Sequence, residues 1–291
     1  MKRRLLLLLL VTVLLISLTL PAGIAMAVDT IQVTGPGTLD VPGATYVLQN
    51  DIYGQLFIRG DNIILDGNGF SVIAVENSVV GVSISGGATG ATVKNVNVRY
   101  GTYGIYVRGS NNIITGNTIF GSTFGIYNNS MDNNAIIDNN ISDCQIGIYI
   151  FRSDYNSITG NTLSDNSRGV YLKYSRNNDV YNNNFINNLN QAEAINNWGP
   201  IRFNLPAPIG GNYWSDWTSP DVNGDGIVDS PYLFDGNQDN LPWVEQDGWI
   251  NTPPGSGKGN KSGWDSSVPP GLDKQDKIPT GFEQGKKSGW D

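Results

Sequence analysis

No histidine occurs among the 291 residues of the chain, and there are only one cysteine and three methionines. Without histidine, Ser-His-Asp and Cys-His nucleophile chemistry and imidazole-based metal sites are excluded. The one cysteine, Cys144, cannot bridge to another within the chain, so disulfides do not hold this fold. It reads as a small buried hydrophobe, since no imidazole is present to activate its thiol. After residue 27, Met131 and Cys144 are the only sulfur residues, so soft metal ligands are nearly absent. Positive charge is scarce too. The 18 Lys and Arg are outnumbered by 26 Asp and Glu, for a net charge of -8, which argues against a nucleic-acid partner with its need for basic patches. Only one long apolar run occurs, at residues 5–20. It follows Lys2-Arg3-Arg4 and precedes the small-residue cleavage site Ala25-Met26-Ala27. Residues 1–27 are therefore expected to be a cleaved signal peptide, too short in its apolar part to span a bilayer. The expected product has no membrane span after cleavage and is secreted, periplasmic or on the cell surface.

What is abundant is repetition. Asn112, Asn134, Asn156 and Asn178 are each 22 residues apart, and so are Ile114, Ile136, Ile158 and Val180. Asn117, Asn139, Asn161 and Asn183 keep the same period, as do Ile119, Ile141, Leu163 and Phe185. Gly-Ile-Tyr or Gly-Val-Tyr recurs at residues 104, 125, 147 and 169. A fixed period in this range signals stacked units that cannot bury their apolar faces alone. Each unit holds short apolar-polar alternations separated by Gly, Asn, Ser and Asp, the pattern of half-buried strands joined by turns. The units are nearly free of Leu, which sets aside leucine-rich repeats, and they lack helical periodicity. The expectation is an all-β, right-handed, single-stranded parallel β-helix of roughly seven coils, about 22 residues each. Equivalent residues then lie about 4.8 Å apart in columns, apolar series inward and Asn series as ladders.

The chain divides on this reading into residues 28–200, a β-helix with an N-terminal cap; 201–250, a Trp-rich acidic C-terminal cap; and 251–291, a Gly, Pro and Lys-rich disordered tail. Residues 192–195 read as a short helical turn where the period breaks. Trp198, Trp214, Trp217, Trp243 and Trp249 read as packing over the last coil.

The Tyr46-Val47-Leu48 strand, the Ile64-Leu65-Asp66-Gly67-Asn68-Gly69 turn and the Asn/Ile units resemble the NosD-like right-handed β-helix repeats. The segments Gly211-Asn212-Tyr213-Trp214-Ser215-Asp216 and Asp239-Asn240-Leu241-Pro242 are similar to a terminal motif found after such repeats. The resemblance implies the β-helix fold. It also implies a place among secreted carbohydrate-binding proteins and sugar hydrolases, or a periplasmic role in copper delivery. Since one fold hosts many functions, it leaves function open.

Four constellations could carry chemistry. Asp221, Asn223, Asp225, the carbonyl of Ile227, and Asp229 have the spacing of a calcium loop, with Gly226 at the sharp turn. Residue 12 of that loop is Tyr232 rather than Glu, so a further ligand would come from Asp216, Asp235, Asp239 or water, with modest affinity of about 10⁻⁴–10⁻³ M. Residues 211–250 hold eight acids and no Lys or Arg, which a structural Ca2+ would relieve. Secondly, Tyr106, Tyr127, Tyr149 and Tyr171 should form an outward column. It could stack on a polysaccharide or cell-surface glycan, or simply pack between coils. Thirdly, Asp143 and Asp165 would sit on neighbouring coils at the spacing of a retaining glycosidase pair, or serve as turn residues. Lastly, Asp154 and Arg176 occupy equivalent positions and are expected to form an exposed ion pair. Together these point to a secreted, non-catalytic glycan or surface-interaction platform with a structural calcium site. A polysaccharide lyase or glycoside hydrolase is the alternative, and copper handling the third.

Overall fold

The computed structural model describes residues 30–75 and 79–251. The expected signal peptide and all of the expected tail beyond residue 251 lie outside the described residues. Each coil contributes three short strands, and these fall into three parallel sheets. The first stacks Thr30–Val33, Thr45–Leu48, Ile64–Asp66, Thr92–Lys94, Ile113–Thr115, Ala135–Ile137, Ser157–Thr159, Asn178–Tyr181 and Ile201–Arg202. The second stacks Ile52–Tyr53, Ser71–Ile73, Asn97–Arg99, Thr118–Phe120, Asn140–Ser142, Thr162–Ser164, Asn184–Ile186 and Tyr213–Trp214. The third stacks Gly37–Leu39, Leu56–Ile58, Val80–Ile84, Tyr103–Val107, Phe124–Asn129, Ile146–Phe151, Arg168–Lys173 and Asn190–Ile195. The result is a parallel β-helix of about seven coils of about 22 residues.

The columns follow from register. Ile114 pairs with Ile136, Ile136 with Ile158 and Ile158 with Val180, and all four are fully buried. Ile119, Ile141, Leu163 and Phe185 line the second wall, and Ile105, Ile126, Ile148 and Val170 the third. No single coil encloses these side chains. Burial comes from the coil above and below, which is why one unit cannot fold alone.

The corners explain the abundance of Asn. Asn111, Asn133, Tyr155 and Asn177 all have positive φ, as do Gly116, Asp138, Gly160 and Asn182 at the next corner. The left-handed region is open to Gly and tolerable for Asn and Asp, which bond locally to their own backbone. The residue after each such turn points inward and bonds to the next coil. The backbone N–H of Asn117 donates to Asn139 Oδ1, that of Asn139 to Asn161 Oδ1, and that of Asn161 to Asn183 Oδ1, each at 3.0 Å. Their amide nitrogens run in parallel at 2.9 Å. The Asn112 series makes the same ladder through its backbone N–H groups, though Asn134 Nδ2 does not join it. A third ladder, through Cys144, Asn166 and Asn188, has no counterpart in the sequence reading because Cys144 interrupts it.

The recurring Gly of Gly-Ile-Tyr has a steric reason. A Cβ on Gly125 would lie 2.5 Å from the Gly147 carbonyl oxygen and 2.6 Å from Ile141 Cγ2, so the third sheet approaches the second too closely for any side chain.

Residues 192–195 are not a helical turn. They lie in the strand Asn190–Ile195, paired with Arg168–Lys173 at the same 22-residue offset. The helix-favouring Ala and Glu there are overridden by the ladder of the coil beneath. The solenoid then continues past residue 200, through Ile201–Arg202 and Tyr213–Trp214, as a last partial coil with an insertion. Trp214 lies flat on Phe185, with centroids 4.4 Å apart, and Tyr232 covers its other face at 4.2 Å. The buried Asp239 carboxylate pins this lid, accepting from Trp214 Nε1 at 2.9 Å, Asn212 N at 2.7 Å and Leu241 N at 3.0 Å. Trp243 is buried in the same cap, whereas Trp198 is 64% exposed and stacks instead on Tyr174 at a solenoid corner.

Candidate functional site: the outer face of the third sheet

Along the third sheet, each inward Ile or Val is followed by an outward tyrosine. Tyr106, Tyr127, Tyr149 and Tyr171 are in strict register, with ring centroids 5.3, 4.9 and 4.9 Å apart and planes within 18° of parallel. Tyr103 and Phe124 add a second file that stacks against the first at 4.7 to 5.8 Å. The strand spacing sets this pitch, so the rings cover one another's faces and present their edges and hydroxyls outward. Burial, then the neighbouring phenols, pushes Tyr149 up to about 12, and the same causes raise Tyr127 further. These two phenols are therefore neutral hydroxyls at any physiological pH. Tyr106 OH also accepts from Asn129 Nδ2 at 3.1 Å.

Cations flank the ladder. Arg108 sits over Tyr106 at 5.6 Å, Arg168 over Tyr171 at 5.3 Å, and Arg152 over Phe151 at 5.1 Å. Lys173 lies 5.2 Å from the ring of Tyr174. Arg59 stands over Phe57 at 5.8 Å on an earlier coil of the same sheet. Nine Lys and Arg occur among the described residues, and these five belong to this sheet or its trailing corner. The ion pairs lie mostly elsewhere: Lys94–Asp66, Arg176–Asp154 and Arg202–Asp179, with Arg168–Glu193 the one on this face. The expected Asp154–Arg176 pair forms at 2.8 Å. Arg59, Arg108, Arg152 and Lys173 have no carboxylate partner among the described residues. Tyr103, Phe124 and Arg108 were not singled out by the sequence. Tyr103 lies 21 rather than 22 residues before Phe124, which hides it from a strict period.

The structure places Asp143 and Asp165 at equivalent turn positions, both exposed and both with positive φ (54° and 55°). Gly121 and Asn187 fill the same position on adjoining coils. The two carboxylates line one shallow groove of about 390 Å³ with Thr123, Gln145 and Ser167. That is what turn residues on stacked coils do, and no basic side chain lines the groove.

In the loop at Asp221, the carboxylates fold back onto their own backbone. Asp221 accepts from Gly224 N at 2.7 Å and Gly226 N at 2.9 Å, Asn223 Oδ1 from Asp225 N at 2.9 Å, and Asp225 Oδ1 from Ile227 N at 2.9 Å. Asp229 Oδ2 accepts from Val222 N at 2.8 Å, closing the loop. Ile227 is buried and bridges to Trp243. Of the expected additional ligands, Asp239 is committed to the buried lid, and Asp216 accepts from Tyr232 OH and Gln191 Nε2 at 3.1 Å each. Asp235, with positive φ, turns the hairpin between Tyr232–Phe234 and Asn237–Asp239. Among the described residues, no three or more His, Cys, Asp or Glu gather as they would around a metal ion.

A family model described as periplasmic copper-binding protein (NosD) matches residues 37–219. The chain belongs to the NosD family. No curated protein matches the sequence. Among solved structures, the enzymatically active domain of tailspike protein 2 from bacteriophage CBA120 is similar over 60% of this chain and 39% of its own length, at 13% identity and a TM-score of 0.43. The full-length tailspike protein 2 from an Escherichia coli O157:H7 bacteriophage is similar over 55% of this chain and 31% of its own, at 14% identity and a TM-score of 0.29. Among the described residues no helix is long and apolar enough to cross a membrane.

The NosD description raises copper, and the residues do not fit it. There is no histidine. Burial pushes the Cys144 thiol up to about 11, so it is not a thiolate, and its sulfur is engaged with the Ser142 carbonyl at 3.3 Å. Met131 lies at the corner between the third and first sheets and Cys144 between the second and third, so the two sulfurs do not share a site.

Proposed function

We propose that this NosD-family chain works outside the cytoplasm as a non-catalytic platform, holding a glycan or glycan-bearing surface against the outer face of the third sheet. The observation that carries this reading is the tyrosine ladder flanked by cations that lack carboxylate partners among the described residues, on an otherwise acidic molecule. A solenoid suits the task because it repeats one contact at a fixed pitch along a rigid rod. Glycan-array binding of the full chain tests it. Retention on no glycan, with the fold intact, would end the reading.

A structural calcium ion at Asp221, Asn223, Asp225, Ile227 and Asp229 belongs to the same proposal. Its support is the ligand spacing and the eight acids of residues 211–250. Excess calcium is expected to raise the melting temperature and Asp225→Ala to abolish the rise. An identical melting curve in excess chelator refutes it.

One observation favours a second reading, sugar cleavage: Asp143 and Asp165 share a groove. Release of reducing ends from a polysaccharide panel, lost in Asp143→Asn, would establish it in place of the platform.

A further inference from the structure

We propose that the third-sheet face selects anionic polysaccharides, those whose sugar rings carry carboxylates, and engages them edge-on through phenol hydroxyls and guanidinium groups. This rests on the platform reading and narrows it. Three observations support the narrowing.

The first is charge segregation. The molecule is acidic overall at -8, yet Arg59, Arg108, Arg152 and Lys173 on this sheet and its corner lack carboxylate partners among the described residues. Cations left unpaired in an acidic protein are complementary to an anionic ligand. Most are held in place by the rings they rest on, with Arg108 5.6 Å over Tyr106 and Arg152 5.1 Å over Phe151. A guanidinium steadied in this way keeps its fork of donors outward, the geometry that accepts a carboxylate in two parallel hydrogen bonds.

The second is the ladder itself. Stacking of a sugar or a nucleobase on an aromatic side chain requires an open ring face. Here the faces of Tyr127 and Tyr149 are taken by the rings above and below at 4.9 to 5.3 Å. What remains outward is a row of ring edges and neutral hydroxyls, which donate to and accept from hydroxyl and carboxylate oxygens. A neutral glycan that depends on ring stacking and a single strand that depends on base stacking both lose their main contact. A hydroxyl-rich polyanion does not.

The third is extent. The ladder crosses four coils at near-constant pitch, and Arg168 bonds Glu193 at its end. One sugar would occupy a single coil. A chain of them can meet the repeating row of hydroxyls coil after coil and reach the cations along it, which favours a polymer.

The test is binding of the full chain to polygalacturonate and to the same polymer fully methyl-esterified, which keeps the rings and removes the charge. Oligo-dT serves as a polyanion without sugar carboxylates. The expected result is retention on the acid form, loss on esterification, and weakening in high salt. Arg108→Gln/Arg152→Gln/Lys173→Gln is expected to bind about tenfold more weakly with an unchanged melting temperature, as three exposed charge contacts would give. Arg99→Gln, at a cation on the second sheet without a carboxylate partner among the described residues, should bind as wild type. Equal binding of the acid and ester forms overturns the selection of carboxylates while leaving the platform reading intact. Retention on neither polymer nor any other glycan sinks both. Binding of oligo-dT as tight as polygalacturonate would reduce the face to a cation exchanger and overturn the proposal.

Discussion

Asn139→Ala is the sharpest probe of what holds the coils together. Asn139 is 1% exposed, and its amide makes five hydrogen bonds. Oδ1 accepts from Asn117 N at 3.0 Å and Asn117 Nδ2 at 2.9 Å, while Nδ2 donates to Ile114 O, Ile137 O and Asn161 Oδ1 at 2.9 to 3.0 Å. Alanine leaves the buried Asn117 N–H with no acceptor, which costs about 1–3 kcal/mol. Asn117 Nδ2 keeps the Val93 carbonyl at 3.0 Å, and Asn161 Oδ1 keeps the Asn139 N–H at 3.0 Å, so those losses are partial. Four further bonds at about 0.5–1.5 kcal/mol each, discounted for surviving partners, bring the expected loss to about 2–6 kcal/mol. The neighbouring Asn140 is exposed, and Asn140→Ala should stay within about 0.5 kcal/mol. Urea denaturation followed by circular dichroism measures the difference, and amide exchange at Asn117 localises it. A loss below about 1 kcal/mol, or unchanged protection of that amide, would refute the claim that the ladders bind one coil to the next.

Burial raises the Asp239 carboxyl from its usual 3.8 to about 6 against the opposing pull of its N–H donors. The folded state therefore prefers the protonated acid, and this contribution is full below about pH 4 and lost as pH rises through 6. The stability gap between wild type and Asp239→Asn should change by about 2 kcal/mol from pH 4 to 7.5, to the disadvantage of wild type as pH rises, and a constant gap in paired urea melts would contradict it. Asn128 occupies an inward position between Val107 and Ile150, and its Oδ1 and the nearby ladder's Asn134 Nδ2 are buried without partners. Asn128 Nδ2 donates to Asn156 Oδ1 at 2.9 Å, but that oxygen keeps the Asn134 N–H, so Asn128→Ile is expected to raise stability by about 0.5–1 kcal/mol, and a lower denaturation midpoint would count against it. Gly125→Ala, by contrast, forces a methyl against Gly147 O and Ile141 and should cost about 1–3 kcal/mol or more in the same assay.

The fold was legible because a stacked solenoid writes its geometry into one number. Residues separated by 22 become vertical neighbours, so the inward Ile columns, two of the Asn ladders and the outward tyrosines could be placed without coordinates. Where the number failed, local composition misled. Residues 192–195 look helical in isolation, and the third ladder is masked by Cys144 in place of Asn. For Asp143 and Asp165 the sequence left a turn role and an acid pair open, since both use the same residue type, and their positive φ shows the turn.

The sequence by itself determined the repeat, the identity of the inward Ile columns, two Asn ladders and the outward tyrosine column, and the exclusion of histidine chemistry, because these depend only on which residue recurs and which never occurs. Tertiary structure alone decided what the outward columns offer. Strand spacing brings the tyrosine rings face to face and so withdraws those faces from any ligand. The same stacking sets Arg108, Arg152 and Lys173 beside the ladder, although no residue type recurring from coil to coil marks their positions in the sequence. It also buries Asp239 under the last rung, far in sequence from the Phe185 that its lid covers. Contacts of this kind arise between coils, where proximity is fixed by winding and not by order along the chain.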